Sequence, residues 1–187
     1  MDAASYLHYL LPEVILTLGA CVVLLVKAGR NNATAGLAPG LAMVTLVAAL
    51  AVTWIRGQPA EPVVMPGLLI TSLTWYVRLI TLGVGILLLL INWHVPEAAE
   101  RGEYFSILLF SLAGATLTAA ANDLVVLFFA IELVSVPTYV LVSLSRLDGR
   151  ASEAGVKYFF LGALAAALMV YGFSPRVATD VVRARNV

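Results

Sequence analysis

Apolar residues run along this chain in long blocks, broken at intervals by short clusters of charge, proline and glycine. A helix that crosses a hydrocarbon layer of roughly 30 Å needs about 20 consecutive apolar residues. Windows of that length fall at approximately 8–27, 34–55, 70–92, 103–121, 123–144 and 153–173, so the pattern predicts six spans. The first begins HYLLPEVILTLGACVVLLVK and carries Pro12 in its first turn, where a missing N–H is no loss. It is too long and too polar at its start for a cleaved leader, and no small-residue cleavage motif follows, which predicts a retained helix. Between the second and third spans, RGQPAEPVVMPGLLITSLTW holds three prolines and two glycines and predicts a loop with at most a short surface helix. The fourth and fifth spans are joined by AAAND, a tight hairpin in which Asn122 or Asp123 can cap the following helix.

Composition turns this pattern into a class. The 187 residues are 61% hydrophobic and only 12% charged, with mean hydropathy +0.98, against roughly 45–50% apolar for an ordinary soluble domain. A soluble core of this size could not hide so much apolar surface, whereas helices facing hydrocarbon need not hide it. The predicted fold is therefore all-α: a polytopic transmembrane helix bundle of about six spans over residues 1–173, followed by a polar tail at 174–187. The net charge of zero gives no reason to expect nucleic acid. A single cysteine, Cys21, lies in an apolar run; it excludes an internal disulfide framework and reads as a small buried hydrophobe.

Lysine and arginine in the short loops predict orientation. With the N-terminus outside, the cytoplasmic loops carry Lys27, Arg30, Arg101, Arg146 and Arg150, against Arg56 alone on the other side. The final stretch, SPRVATDVVRARNV, breaks that bias, since after six spans Arg176, Arg183 and Arg185 would lie outside.

Charges inside the spans carry the chemistry. Glu132 sits near the centre of NDLVVLFFAIELVSVPTYVLVSL, where a charged residue costs about 2.5–3.5 kcal/mol on insertion scales. Two readings compete: a carboxyl hydrogen-bonded to a neighbouring helix as a clamp, or a station on a proton or ion path. Pro137 cannot donate to the carbonyl of Leu133, so the backbone beside Glu132 is expected to kink and to offer a free acceptor. Ser135 and Tyr139, three and seven residues on, fall on roughly the same helical face as Glu132 and make a polar stripe. Lys157 lies about four residues, or roughly 6 Å, into the sixth span, where it can either snorkel to the interface or face inward as a titratable group. Its depth differs from that of Glu132 by about 10 Å, too far for a direct ion pair.

Other candidates are weaker. Glu13 follows Pro12 in a first helical turn, where an acid suits the helix dipole. Arg78 stands a turn or more inside the third span beside Trp75 and Tyr76, which read as an interfacial aromatic belt along which it can snorkel. His8 and His94 sit at span ends as ordinary interfacial imidazoles. The sequence shows no glycine-rich phosphate loop, metal-ligand cluster or hydrolytic triad, so neither a catalytic site nor a metal or cofactor site is assigned.

Two stretches carry a resemblance. EYFSILLFSLAGATLTAAANDLVVLFFAIELVSVPTYVLVSL, followed by SEAGVKYFFLGALAAALMVYG, resembles the fourth to sixth helices of the subunit N family of bacterial NADH-quinone oxidoreductase, respiratory complex I. The carriers are a glutamate-bearing helix with Ser-x-Pro-x-Tyr, then Glu-Ala-x-x-Lys-Tyr-Phe and Leu-Gly-Ala, over about seventy residues. Related antiporter-like subunits, including those of multisubunit cation/proton antiporters, share the pattern. The resemblance implies a proton-translocating membrane-arm subunit in a bacterial inner membrane, partnered by other membrane-arm subunits and the lipid bilayer. NADH, FMN, iron–sulfur clusters and quinone would then be held by other subunits, and any enzyme activity would belong to the assembled complex. By position, Glu132 matches the family's carboxylate of the fifth helix and Lys157 its lysine of the sixth. The family continues past LMVYG into further helices built as inverted repeats, whereas here GFSPRVATDVVRARNV follows. We expect on that ground a shifted reading frame or a split gene, with only part of the first repeat present.

Overall fold

The computed structural model describes residues 3–28, 37–93, 101–144 and 149–185. Arg30, Arg146 and His94, which enter the expectations above, lie outside the described residues. In chain order the elements are α1 (Ala3–Tyr9), α2 (Leu11–Ala28), α3 (Ala38–Arg56), β1 (Val63–Met65), β2 (Leu68–Ile70), α4 (Ser72–Ile91), α5 (Arg101–Thr118), α6 (Leu124–Leu144) and α7 (Gly149–Arg185). Among the described residues α3, α4, α6 and the Gly149–Ser174 part of α7 are long and apolar enough to cross a membrane, and Leu11–Val26 is a shorter apolar helix. The molecule is a membrane helical bundle.

Helical periodicity explains the core. Leu16, Ala20 and Val23 of α2 recur at i, i+4 and i+7 and meet Ala42, Leu46 and Ala49 of α3, Leu82 and Leu89 of α4, and Phe105, Leu109 and Ala113 of α5. Small residues on α3 let its backbone approach α2 closely, the usual device where lipid supplies no hydrophobic drive between helices. Cross-helix polar ties add to this packing: Ser106 donates to the carbonyl of Ala20 at 2.8 Å, Thr74 to that of Ala119 at 3.0 Å, and the Trp75 indole to that of Thr53 at 3.0 Å. Polar atoms with no water nearby must be satisfied internally, and among the described residues no buried side-chain polar atom lacks a partner.

Outside this four-helix unit, α6 packs on α5, and α7 packs on α6. Gly114 marks the first contact. A Cβ there would stand 2.7 Å from the carbonyl carbon of Leu133 and 2.8 Å from the nitrogen of Val134, both backbone atoms that cannot turn aside. Burial thins outward: 33% of the apolar window of α3 is buried and none of that of α7.

One region departs from the sequence reading. The proline-rich segment holds an antiparallel hairpin, with Val63 opposite Ile70 and Met65 opposite Leu68, instead of a loop with a short helix. Pro66-Gly67 makes its turn, and Gly67 takes φ 77°, the left-handed region that a type II turn requires of its third residue. The hairpin is held by the α5–α6 connection: Leu69 donates its N–H to the carbonyl of Ala120 at 2.8 Å, and Asn122 to that of Gly67 at 3.0 Å. In the same connection Asp123 caps α6, its carboxylate accepting from the N–H of Val125 at 2.7 Å. The helical backbone of α7 runs on through residues 174–185 without a break, where arginine and aspartate replace the apolar run but no helix-breaking residue follows Pro175.

Candidate functional site: the intramembrane charges

Glu13 and Arg78 are brought together although 65 residues separate them. Arg78 donates from Nε to Oε1 of Glu13 at 2.8 Å and from Nη2 to Oε2 at 3.1 Å, and the same Nη2 donates to the carbonyl of Tyr9 at 3.1 Å. This is the two-bond, planar pairing that suits a guanidinium and a carboxylate. Both side chains are almost fully buried, at 9% and 7% exposed. Arg78 therefore does not snorkel, and Glu13 answers a specific cation across the α2–α4 contact as well as its own helix dipole. Arg78 also lines a half-open cleft of about 650 Å³ whose walls include His8, Arg56, Glu61 and Trp75.

Glu132 occupies the middle of α6 and is half-buried. No hydrogen bond or ion pair ties it to any described residue. Ala130, two residues earlier, is buried where Gly114 of α5 touches the α6 backbone. At about 100° per residue Glu132 is turned some 200° from that contact, onto the same face as Tyr139. Tyr139 is buried against α7, edge-on to Tyr158 at 4.8 Å between ring centroids and to Phe159 at 6.0 Å, with its phenol over Gly162. The carboxylate thus lies on the side of α6 that looks toward α7, about two turns from Tyr139. Ser135 donates to the carbonyl of Ile131 at 2.9 Å, and Pro137 stands buried inside the helix. Thr138 donates to the carbonyl of Ser135 at 2.7 Å, so both hydroxyls bond carbonyls on the N-terminal side of the proline.

Lys157 does not approach Glu132. It is exposed and paired with Glu153, one turn earlier on α7, at 2.6 Å. Gly155 packs against Ser143 as Gly162 packs against Tyr139, so antiparallel register sets Lys157 level with residue 141 or so. That is about nine residues, or roughly 14 Å, along α6 from Glu132. The partner of Lys157 was legible as an i, i+4 pair in SEAGVK. His8 accepts at Nδ1 from Nη2 of Arg56 at 3.2 Å, since a guanidinium has only donors. Cys21 is exposed and does not fill the core; it faces outward from an apolar helix. No group of three or more His, Cys, Asp and Glu that could hold a metal occurs among the described residues.

Comparison with known proteins bears on these charges. Residues 121–177, which contain Glu132 and Lys157, match the family described as NADH:quinone oxidoreductase/Mrp antiporter, transmembrane. NADH-quinone oxidoreductase subunit N of Myxococcus xanthus is 36% identical over 167 residues, covering 87% of this chain and 32% of the relative. Subunit N of Rhodospirillum rubrum is 36% identical over 168 residues, covering 88% and 34%. In three dimensions the chain is similar to a chain of respiratory complex I from Thermus thermophilus with bound aureothin, with TM-score 0.70, 25% identity, and coverage of 87% of this chain and 35% of that one. An archaeal respiratory membrane complex, the membrane-bound sulfane sulfur reductase, shares the fold at TM-score 0.66 and 21% identity over 88% and 36%. The chain spans about a third of the length of the curated relatives it matches.

Proposed function

We propose that the chain belongs with the antiporter-like membrane subunits, since residues 121–177 match their family and NADH-quinone oxidoreductase subunit N relatives are 36% identical to it, that it serves in the membrane arm of such a complex, and that Glu132 carries protons there. The observation behind this reading is the placement of Glu132. It is a half-buried carboxylate at mid-helix, beside a proline that leaves the carbonyl of Leu133 without its helical donor. A clamp would need a partner on a packed neighbour, and Glu132 has none among the described residues. A carrier needs the opposite: an acid able to exchange its proton with water or with a movable cation.

Lys157 is the second station in this reading. Its present partner, Glu153, is an exposed neighbour on its own helix. An ion pair of that kind holds by about 0.3–0.5 kcal/mol in water, so little opposes a swing toward another carboxylate. Ser135 and Tyr139 flank the route as polar groups, and Pro137 leaves the carbonyl of Leu133 without its helical donor. Quinone reduction and the NADH, FMN and iron–sulfur chemistry belong to other subunits of the assembly, with the N-terminus of this chain outside the bacterial inner membrane.

A Glu132→Gln substitution in the native assembly tests the reading through NADH-driven proton uptake by membrane vesicles. The amide keeps a hydrogen-bonding group of the same size but cannot ionise. Loss of uptake with the assembly still present supports a carrier; unchanged uptake sinks it in favour of a scaffold. The family description also covers Mrp antiporters, which supports a second reading as a subunit of a cation/proton antiporter. In that case transport requires added sodium and does not require NADH.

A further inference from the structure

Two cavities meet where α3 and α4 reach the aromatic belt. The first is the cleft at Arg78, lined also by His8, Arg56, Glu61 and Trp75. The second is an apolar groove of about 510 Å³ on the outer face of the same two helices, lined by Val47, Leu50, Trp54, Leu79 and Gly83. Trp75 belongs to the cleft and Trp54 to the groove, and their rings stand 6.2 Å apart, so the two spaces share a wall. Along α4 the cleft residues Trp75 and Arg78 precede the groove residues Leu79 and Gly83. Along α3 the order is reversed, Val47 and Leu50 before Thr53 and Arg56. The groove therefore runs from the level of the cleft into the hydrocarbon, about 10 Å from Trp54 to Val47 at 1.5 Å per residue.

A polar cleft continuous with an apolar groove at the interface has the shape of one amphiphile. We infer that this is a binding site for a single glycerophospholipid whose headgroup carries both a phosphate and a primary ammonium, with one acyl chain in the groove. Charge selects that headgroup. The positive charge of Arg78 is matched by Glu13, which leaves one cation, Arg56, and one carboxylate, Glu61, on the cleft wall. Arg56 suits the phosphate, for which a guanidinium offers paired donors. Glu61 suits an ammonium able to donate hydrogen bonds, a role that a trimethylammonium cannot fill. Trp54, Trp75 and Tyr76 are amphipathic rings of the kind that mark headgroup depth. A groove about 10 Å long holds some two-thirds of a chain in a leaflet of about 15 Å.

Native mass spectrometry of the purified chain in detergent tests this, with phosphatidylethanolamine, phosphatidylglycerol and phosphatidylcholine of identical acyl chains, and with inorganic phosphate. The expected order places phosphatidylethanolamine first. Arg56→Gln weakens it at least about tenfold, as loss of a charge-assisted contact should. Glu61→Gln makes phosphatidylethanolamine and phosphatidylglycerol equal. Gly83→Phe blocks the groove and also lowers retention; a Cβ at Gly83 meets no heavy atom within 4 Å, so the bundle should tolerate it, and Gly83→Leu serves if the larger ring prevents extraction. Equal retention of all three lipids by the native chain, or indifference to both Arg56→Gln and the Gly83 variants, overturns the site in favour of general annular lipid. Binding of inorganic phosphate that depends on Arg56, together with lipid retention that ignores Gly83, overturns the lipid assignment as well.

Discussion

The Glu13–Arg78 pair gives the sharpest test of the packing. Glu13→Gln removes the charge while keeping the size. The amide oxygen can still accept one of the two guanidinium bonds, now at 2.8 and 3.1 Å, but its NH2 faces a donor, and the Arg78 charge stays buried at 7% exposure. Removing one partner from a buried pair leaves an uncompensated charge and costs about 3–5 kcal/mol. The populations of folded and unfolded chain should shift by roughly two to three and a half powers of ten, at about 1.4 kcal/mol per tenfold. Replacing both partners with apolar residues, Glu13→Leu with Arg78→Met, removes the charge altogether and should be neutral or stabilising by about 1–4 kcal/mol. One loss persists there, because the carbonyl of Tyr9 gives up its donor at about 1–3 kcal/mol if no other arrives. Loss of helical circular dichroism during titration of dodecylmaltoside micelles with SDS reads both variants, and exposed Arg56→Gln is the control. A single variant within about 1 kcal/mol of the native chain refutes the buried pair. So does a double variant whose cost equals the sum of the two singles, because groups in contact must couple.

Gly114→Ala should destabilise by about 1–3 kcal/mol in the same titration, since the added methyl meets the α6 backbone at 2.7–3.0 Å and only separation of α5 from α6 relieves it. Glu153→Gln should change stability by less than about 0.5 kcal/mol, its partner Lys157 being exposed; a larger loss would mean that the ion pair is covered in the folded chain.

Four of the six expected spans answer to helices among the described residues that are long and apolar enough to cross a membrane; they were legible because each is a long block with few charges, and lipid imposes length more strictly than water does. Glu13 and Arg78 show what a single sequence withholds. Each had a sufficient local explanation, a helix dipole for one and a snorkelling stem for the other. Only the fold adds that α2 and α4 place them at one depth, 65 residues apart. The hairpin was half-legible. Pro66-Gly67 is a turn signal with its own mechanism, and valines precede it. But strands of three residues gain their stability from outside, here from Ala120 and Asn122, and nothing in the local pattern names those partners. For Lys157 the local pattern was the better guide, since Glu153 stands at the i−4 position that favours a pair.

Burial and charge divide the bundle in the same place. Within α2–α5 the ionic group inside the packed unit is answered across a helix contact, and hydroxyls tie one helix to the next at 2.8–3.0 Å. In α6 and α7 the hydroxyls of Ser135 and Thr138 bond only their own helix, Glu132 bonds no described residue, and Lys157 reaches only along its own helix. A group answered across a tight contact is held in one protonation state and one position, because changing either forfeits the pair. A carrier must do the reverse. The two-helix outer layer, thinly buried and with its described charges answered locally or not at all, fits the carrier role proposed for Glu132. The same reasoning makes Glu13 a poor candidate for the path despite its depth. If Glu13→Gln reduces proton uptake, it should do so in proportion to the loss of folded protein, whereas Glu132→Gln should reduce uptake with the folded fraction unchanged. Uptake that falls in the Glu13 variant while its folded fraction holds would move the path into the packed unit.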